Sequence, residues 1–596
     1  MNLRTRHLRT RHPRTRHLRT RHLRVNQGAR RRGVARVAGL VLVLLAVLGA
    51  PSAAVAAPVA HHPARAATAT ETVAAMQPSW NLGNTLDAIP DETSWGNPLV
   101  TKALFDTIRG QGFRSVRIPV TWGNHQSAQA PYTIDAAFMS RVRQIVDWAQ
   151  ADGLYVVLNV HHDSWQWINK MATDHDAVLA RYDASWQQIA AAFRDEPRTL
   201  LFESINEPAF DNADDAQKMR LVDELNTSFH RIVRASGGTN ADRVLVLPTV
   251  GSTPDQALMD SLATTMDGLD DPNLAATVHY YSFWPFSVNI AGYTKFDATV
   301  QKDLTDTFGR MHDTFVAKGI PVYVGEYGLL AYPDQFHVDY LERGEALKYF
   351  EAIGHAARTS GVTTALWDPY SLLNRETLQW RDPALFALIK ASWTTRSGTA
   401  SSDRVYVAKS TPITAQQLTL DLNGKKFRGL WQGGTRLTVG ADYTVSGDQL
   451  TLTAAALTRL TGDRAYGVNA TLQARFSSGA PWRIDVTTYD APVLAAATGS
   501  TAALAIPADY RGDSLATMEA RYADGSNAGS ATWTPYQQFG TAFTPDYAGG
   551  TLRLTADFLG SLKDGAPVTL TCHFWSGATV SYQVTRSGDA VTGTTR

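Results

Sequence analysis

Residues 199–208 read TLLFESINEP. Leu200, Leu201, Phe202 and Ile205 make an apolar run of the kind buried on both faces of a sheet, and Pro208, with no N–H to offer a strand ladder, ends it. Glu207 is left at the strand exit, where a carboxylate is either a structural cap or a piece of chemistry. Seven further runs have the same character: PSWNLGN (78–84), SVRIP (115–119), LYVVLNVH (154–161), RVLVLPT (243–249), ATVHYYS (276–282), IPVYVGE (320–326) and TTALWD (363–368). Between them, AFMSRVRQIVDWAQADG and SWQQIAAAFRD space their apolar residues by three and four, as amphipathic helices do. Strands that are nearly all apolar and alternate with helices form a parallel sheet covered on both sides, and eight of them close into an α/β (β/α)8 TIM barrel.

The overall charge of +1 conceals an asymmetry, because residues 1–36 hold 13 arginines and no acid. Removing them leaves −12, so no basic field remains to attract nucleic acid. The arginine repeat runs into VAGLVLVLLAVLGA and Ala54-Val55-Ala56, the pattern of a secretory signal peptide rather than of a membrane span. Residues 1–56 are therefore expected to be a leader with a basic extension, 57–70 a linker, and the mature chain a secreted monomer with no membrane association. Cys572 is the only cysteine, which excludes an intramolecular disulfide and a cysteine metal cluster.

A barrel of this type carries its chemistry at the C-terminal ends of its strands. Those ends hold Asn84, Arg117, His161, Asn206 with Glu207, His279 with Tyr281, Glu326 and Trp367, and only the fifth strand contributes nothing. Glu207 and Glu326, after strands four and seven, bring two carboxylates to one rim. Glycoside cleavage needs such a pair, one acid to protonate the leaving oxygen and one carboxylate to attack or to activate water. Arg117 and Tyr281 are expected to favour the ionised form of Glu326, and Asn206 to offer its amide beside Glu207. Glu203, inside strand four, is expected to pair with an interior arginine. His161 and His162 are adjacent on a strand and should point to opposite faces, so no shared metal ion and no cofactor are expected. Trp95, Trp122, Trp165, Trp167, Trp284 and Trp367 fall in or near strand-end loops, and flat rings of this kind suit pyranose faces. Trp367, at the end of strand eight, is the strongest candidate.

Beyond Trp393 the pattern changes to short alternating strands, with no helices expected. LTLTAAALTRL (450–460) matches LRLTADFLGSL (552–562), and TLQARFSSGA (471–480) matches TLTCHFWSGA (569–578), which indicates two related all-β immunoglobulin-like sandwiches. Alternation places Leu570, Cys572 and Phe574 on one face, making Cys572 a buried thiol. Trp575, where the first copy has Ser477, is then an outward tryptophan and a candidate sugar binder.

NLGNTLDA, VRIPVTW, NVHHD, SINEP, HYY, VGEYG and LWD, in this order through residues 80–370, resemble glycoside hydrolase family 5, particularly its subfamily 4 of cellulase-like endoglucanases. The resemblance implies a retaining endo-β-1,4-glucanase with Glu207 as acid/base and Glu326 as nucleophile, its centre completed by Arg117, His161, Asn206, His279, Tyr281 and Trp367. The stretch HYYSFWPFSVN looks like three-module members of that group. NGKKFRGLWQGGTRLTVGADYTVSGDQLTL resembles an X2 module, and YRGDSLATMEARYADG with HFWSG a carbohydrate-binding module of family 46. The expected domains are thus a barrel over 71–397, an X2 module over 401–492 and a family 46 module over 493–590. The expected partners are β-glucans, cellulose or mixed-linkage glucan, with xyloglucan a further candidate. A xyloglucanase or mannanase on the same barrel, and a non-catalytic polysaccharide-binding protein, are the competing readings.

Overall fold

A computed structural model of the chain describes residues 67–332 and 340–595. The expected leader and residues 57–66 of the linker lie outside the described residues. Eight parallel strands close into a barrel in sequence order: β1 (Ser79–Asn81), β2 (Ser115–Ile118), β3 (Tyr155–Asn159), β4 (Leu200–Glu203), β5 (Leu245–Pro248), β6 (Leu274–Tyr280), β7 (Val322–Tyr327) and β8 (Thr363–Leu366). Six lie within the eight apolar runs, while β6 begins two residues before its run and β7 ends one residue after its own. The two amphipathic stretches are the helices Ala136–Ala151 and His175–Ala192.

Strand alternation divides the barrel into two cores. Val156, Leu158, Leu200, Phe202, Val278, Val322 and Val324 join the large cluster under the surrounding helices, while Val157, Leu201, Val246, Ala275, Tyr323 and Ala365 form a separate small one inside the barrel. Further along the same inward parity come Asn81, Arg117, Asn159, Glu203 and His279, all buried. The lumen is thus apolar at mid-height and polar at the strand ends.

The ladder between β6 and β7 is irregular at one point. It pairs Val278 with Val324 but His279 with Glu326, so Gly325 is an extra residue in β7. Simple alternation from Tyr323 would turn Glu326 outward toward the helices; the bulge re-aims it into the mouth beside His279.

After the barrel, a four-stranded and a five-stranded sheet span Thr399 to Tyr489, and a further set of antiparallel strands runs from Val493 to Thr595. Helices do not disappear here, contrary to the sequence expectation. Each matched repeat is a strand followed by a short helix, Ala454–Thr461 and Ala556–Gly560. Thr453 and Thr555 cap them, their hydroxyls accepting from the N–H groups of Ala456 and Phe558. The threonine of the shared LTA motif is therefore the stop of a strand and the start of a helix. Cys572 is fully buried, in the face shared with Leu570 and Phe574.

The last module docks on the loop that follows β6. Asn289 donates its side-chain amide to Ala516 O at 3.0 Å and accepts from Phe539 N at 3.1 Å. Gly292, at φ +79°, lies so close to the Tyr536 ring that a Cβ would sit 3.3 Å from it. Arg404 ties all three modules together, donating to Ser514 Oγ at 2.9 Å and lying 3.5 Å from Glu342 Oε1 of the barrel.

Candidate active site

Glu207 owes its position to more than Pro208. Its backbone is in the left-handed region at φ +39°, a conformation that costs a non-glycine residue about 1–2 kcal/mol. The loop after β5 holds it there: the Glu207 N–H donates to Ser252 Oγ at 3.3 Å, and Gly251 N–H donates to Pro208 O at 2.7 Å. The fifth strand, which contributes no site residue in the sequence reading, thus supplies the clamp for the fourth.

Arg117 is the hub beneath the mouth. A guanidinium has five N–H donors, and here all are used. Nε and Nη2 donate to Glu203 at 2.6 and 2.8 Å, Nη2 also to Asn206 Oδ1 at 2.8 Å, and Nη1 to Glu326 Oε1 at 2.8 Å and Asn81 Oδ1 at 3.1 Å. Burial works against the cation, but the Glu203 and Glu326 carboxylates outweigh it and hold Arg117 protonated. Glu203 meets the interior arginine expected for it. Asn206, its oxygen taken by Arg117, has its donor end left over.

Glu326 receives a second donor, Tyr281 Oη at 2.6 Å. Burial, followed by the charges of Glu326 and Glu207, pushes the Tyr281 phenol well above its ordinary value, so it remains a donor throughout the working range. His279 Nδ1 lies 2.7 Å from Glu207 Oε1 and 3.6 Å from Glu326 Oε2. One oxygen of each glutamate and one His279 nitrogen all fall within 4.8 Å of one another. The two carboxylates differ in exposure: the Glu207 side chain is 45% exposed, that of Glu326 only 6%. Burial raises the Glu207 carboxyl, but the His279 hydrogen bond and charge, with Arg117 behind them, overcome it and hold the group below the ordinary carboxylate value. For His279, burial opposes the charge, yet Glu326 and Glu207 together raise the ring above its usual value. The free site therefore favours a charged His279–Glu207 pair, and the two titrate as a unit. Asn206 does not bond Glu207, contrary to the expected amide contact.

An aromatic row leads away from this centre. Trp367 stacks parallel to His161 at 6.0 Å and 9°, His161 meets His162 edge-on at 4.4 Å, and His162 touches Trp95 at 5.3 Å and Trp165 at 5.4 Å. Burial first, then the neighbouring His162, Arg117 and His279, pushes the His161 ring well below its ordinary value. The expectation that His161 and His162 face opposite ways is corrected: β3 ends at Asn159, the chain turns at His162, and the rings meet. Asp87, His161 and His162 even bring donor atoms within 4.8 Å of each other. The Asp87 oxygens accept from Asn84 N and Thr85 N, His161 Nδ1 pairs with Asn159 and His162 Nδ1 accepts from Trp165, while His162 Nε2, 3.5 Å from Asp87 Oδ2, is buried without a hydrogen-bond partner among the described residues.

The remaining candidates separate. Asn84 lies at the β1 exit at φ +55°. Trp122 and Trp167 are core rings, donating to Asn159 O and Asp163 Oδ1, whereas Trp165 and Trp284 are 52% and 44% exposed. Trp575 is not on an open outer face. It is half-buried and lines a cavity of about 420 Å³ with Arg404 and Tyr406 of the X2 module and Lys295 of the barrel, because the chain leaves the strand at Phe574 and its N–H bonds Ser514 O. In the same module Trp533 is 60% exposed. Asn81, Asp87, Asn159 and Ser252 were missed by sequence reasoning; the alternation of NLGN and LNVH could have found Asn81 and Asn159, but nothing local marks Ser252.

Comparison with known proteins agrees with this geometry. The family description Cellulase (glycosyl hydrolase family 5) matches residues 81–371, carbohydrate binding domain X2 matches 399–486, and a carbohydrate binding domain of family 46 matches 490–594. Endoglucanase B of Paenibacillus lautus is 48% identical over 572 residues, covering 95% of this chain and 100% of that protein. Among solved structures, the full-length tri-modular endo-beta-1,4-glucanase B of Bacillus halodurans aligns with a TM-score of 0.87 at 44% identity, over 89% of this chain and 100% of that one. A tri-modular GH5 subfamily 4 endo-beta-1,4-glucanase of Bacillus licheniformis, in complex with cellotetraose, aligns at 0.75 and 31% identity, over 86% and 99%. With this architecture, this mouth and these relatives, the chain belongs to glycoside hydrolase family 5, its barrel followed by an X2 and a family 46 carbohydrate-binding module.

Proposed function

We propose that the chain is a secreted endo-β-1,4-glucanase that cleaves β-glucans with retention of configuration. The observation that carries this reading is the pair itself: Glu207 and Glu326 bring oxygens within 4.8 Å of each other, Glu326 accepting from Arg117 and Tyr281 and Glu207 paired with His279. Nearest oxygens this close leave little room for the water that an inverting pair, its carboxyls roughly 6.5–9.5 Å apart, admits between them. Glu326, held by Arg117 and Tyr281, attacks the anomeric carbon. Glu207, the more exposed of the two, protonates the departing oxygen and then takes a proton from the water that releases the sugar. A bound sugar that displaces water from the exposed carboxyl favours the neutral His279 ring and the protonated Glu207. Asn206 donates to the sugar 2-hydroxyl, and Trp367 stacks under the ring, with His161, His162, Trp95 and Trp165 continuing the sugar track and Asn84 at its edge. The last module, docked on the loop after β6, contributes to substrate capture, with Trp533 and Trp575 as its candidate rings.

A 2-deoxy-2-fluoro cellobioside with a good leaving group tests the reading. Mass spectrometry is expected to find one glycosyl group, esterified to Glu326; a label on Glu207, or inactivation without a covalent adduct, contradicts it. Export is tested separately by N-terminal sequencing of protein from the culture medium, expected to start near Ala57. Among the described residues no helix is long and apolar enough to cross a membrane.

A further inference from the structure

His279 contacts Glu207 through one ring nitrogen only. The other, Nε2, is buried and has no hydrogen-bond partner among the described residues. Thr277 Oγ1, two residues earlier on the same inward face of β6, is also buried and without a partner. Both atoms converge on Gly325, the bulged residue of β7. A Cβ at this position would lie 3.0 Å from Thr277 Oγ1 and 3.1 Å from His279 Nε2, tighter than nine in ten real Cβ contacts. Asn81 Nδ2, donating to Gly325 O at 2.8 Å, holds this backbone in place. The bulge that aims Glu326 into the mouth therefore also leaves a side-chain-free space bordered by a hydroxyl and an imidazole nitrogen.

We propose that Thr277 is a positioning residue for the acid/base, its hydroxyl linked to His279 Nε2 through one bridging water and so setting the ring's tautomer. The proposal rests on the reading of Glu207 as acid/base. When the hydroxyl side donates to Nε2, the neutral ring carries its proton on Nδ1 and donates it to Glu207 Oε1. Glu207 then keeps its own proton on Oε2, free for the leaving oxygen. As that proton departs, the C–O bond electrons go to the leaving oxygen, and Nδ1–H stabilises the carboxylate left behind. The same carboxylate later takes a proton from the attacking water, so the ring ends each cycle as it began. Without the hydroxyl, the alternative tautomer turns a bare Nδ1 lone pair toward Glu207 and draws its proton to Oε1, away from the bond to be broken. The charged and titratable groups around His279 are Glu207 after β4, Glu326 on β7, Arg117 on β2, His161 after β3 and Tyr281 next to it, and of these Glu207 is in hydrogen-bond contact. None of them reaches Nε2.

The test compares two substrates of the full-length protein, barley β-glucan and 2,4-dinitrophenyl β-cellobioside, whose phenolate departs without an acid. Thr277→Val is expected to lower kcat/KM on β-glucan roughly tenfold, within the range general acid catalysis commands, and to leave the rate of aryl-cellobioside bond cleavage within about twofold. Thr277→Ser is expected to restore the loss. An equal loss on both substrates, or none on either, overturns the proposal. Glu207→Gln run alongside separates the two layers: if it fails to spare kcat/KM for the dinitrophenyl substrate, which reports the first bond cleavage, the acid/base reading itself falls. Should Thr277→Val not fold, the native protein with cellobiose bound decides through ¹⁵N shifts of the His279 ring, where a neutral Nδ1–H tautomer supports the proposal and an Nε2–H tautomer or a doubly protonated ring overturns it.

Discussion

Two buried charge clusters join distant parts of this chain, and they are built in opposite ways. At the barrel mouth Arg117 spends all five donors on Glu203, Glu326, Asn206 and Asn81. At the junction of the modules Glu342 of the barrel faces Asp403 of the X2 module, with Arg343 and Arg404 alongside, and Glu342 Oε1, Asp403 Oδ1 and Arg343 Nη1 all lack hydrogen-bond partners among the described residues. Burial, then the Asp403 carboxylate, pushes Glu342 well above the ordinary carboxylate range. A fully satisfied network rigidifies, whereas a partly satisfied one leaves the elements it joins easier to separate. On the proposed mechanism the mouth holds the reacting atoms, whereas the junction has only to hold modules together.

The largest effect is expected where the mouth's charge does chemistry. Glu326→Ala should cost roughly 10⁴-fold or more in turnover of barley β-glucan, the scale of deleting a nucleophile, while affinity for cello-oligosaccharides, measured by calorimetry, is largely kept. Next comes the structural half of the same network. Glu203→Ala leaves the buried Arg117 without its bidentate partner, and breaking a buried pair in this way costs about 3–5 kcal/mol. Differential scanning calorimetry should show the barrel transition falling while the module transitions stay in place; an unchanged barrel would mean that Glu203 is dispensable.

A third experiment addresses the shared proton. The His279–Glu207 pair must hold one proton to act as an acid, and it loses that proton at the raised value of His279, above the ordinary 6.5. The alkaline limb of the kcat/KM profile should therefore lie above pH 6.5 in the native protein and fall below it in His279→Asn, where Glu207 titrates alone. The smallest effect is expected at the junction. A carboxyl raised by folding contributes its stability below the unfolded value and loses it as pH climbs through the folded one. Small-angle scattering should accordingly show the modules loosening as pH rises through the raised value of Glu342. Glu342→Gln, which cannot ionise, should abolish that dependence without altering the mouth.

Much of the fold is legible in the sequence because its signals are local. All eight barrel strands overlap the apolar runs, and the repeat in the tail is a genuine strand and helix pair. The same locality explains the misses. The LTA threonines look like strand residues until the helix they cap is seen, since AAALTRL and ADFLGSL are too short to display a helical period against a β background. Opposite faces for His161 and His162 follow from strand alternation, and alternation stops where the strand does, at Asn159. An outward Trp575 follows from the same parity, one residue beyond the strand that justifies it.

By itself, then, the sequence determined which segments are strands, that two glutamates end two of them, and that aromatic rings surround them, because apolar period and strand-breaking proline act over a few residues. Only the tertiary structure decided which groups those glutamates meet. Arg117 reaches partners 36, 86, 89 and 209 residues away, Ser252 clamps a turn 45 residues behind it, and the bulge at Gly325 turns Glu326 inward against its own parity. Partners so distant in the chain become neighbours through barrel closure, and closure depends on all eight strands together.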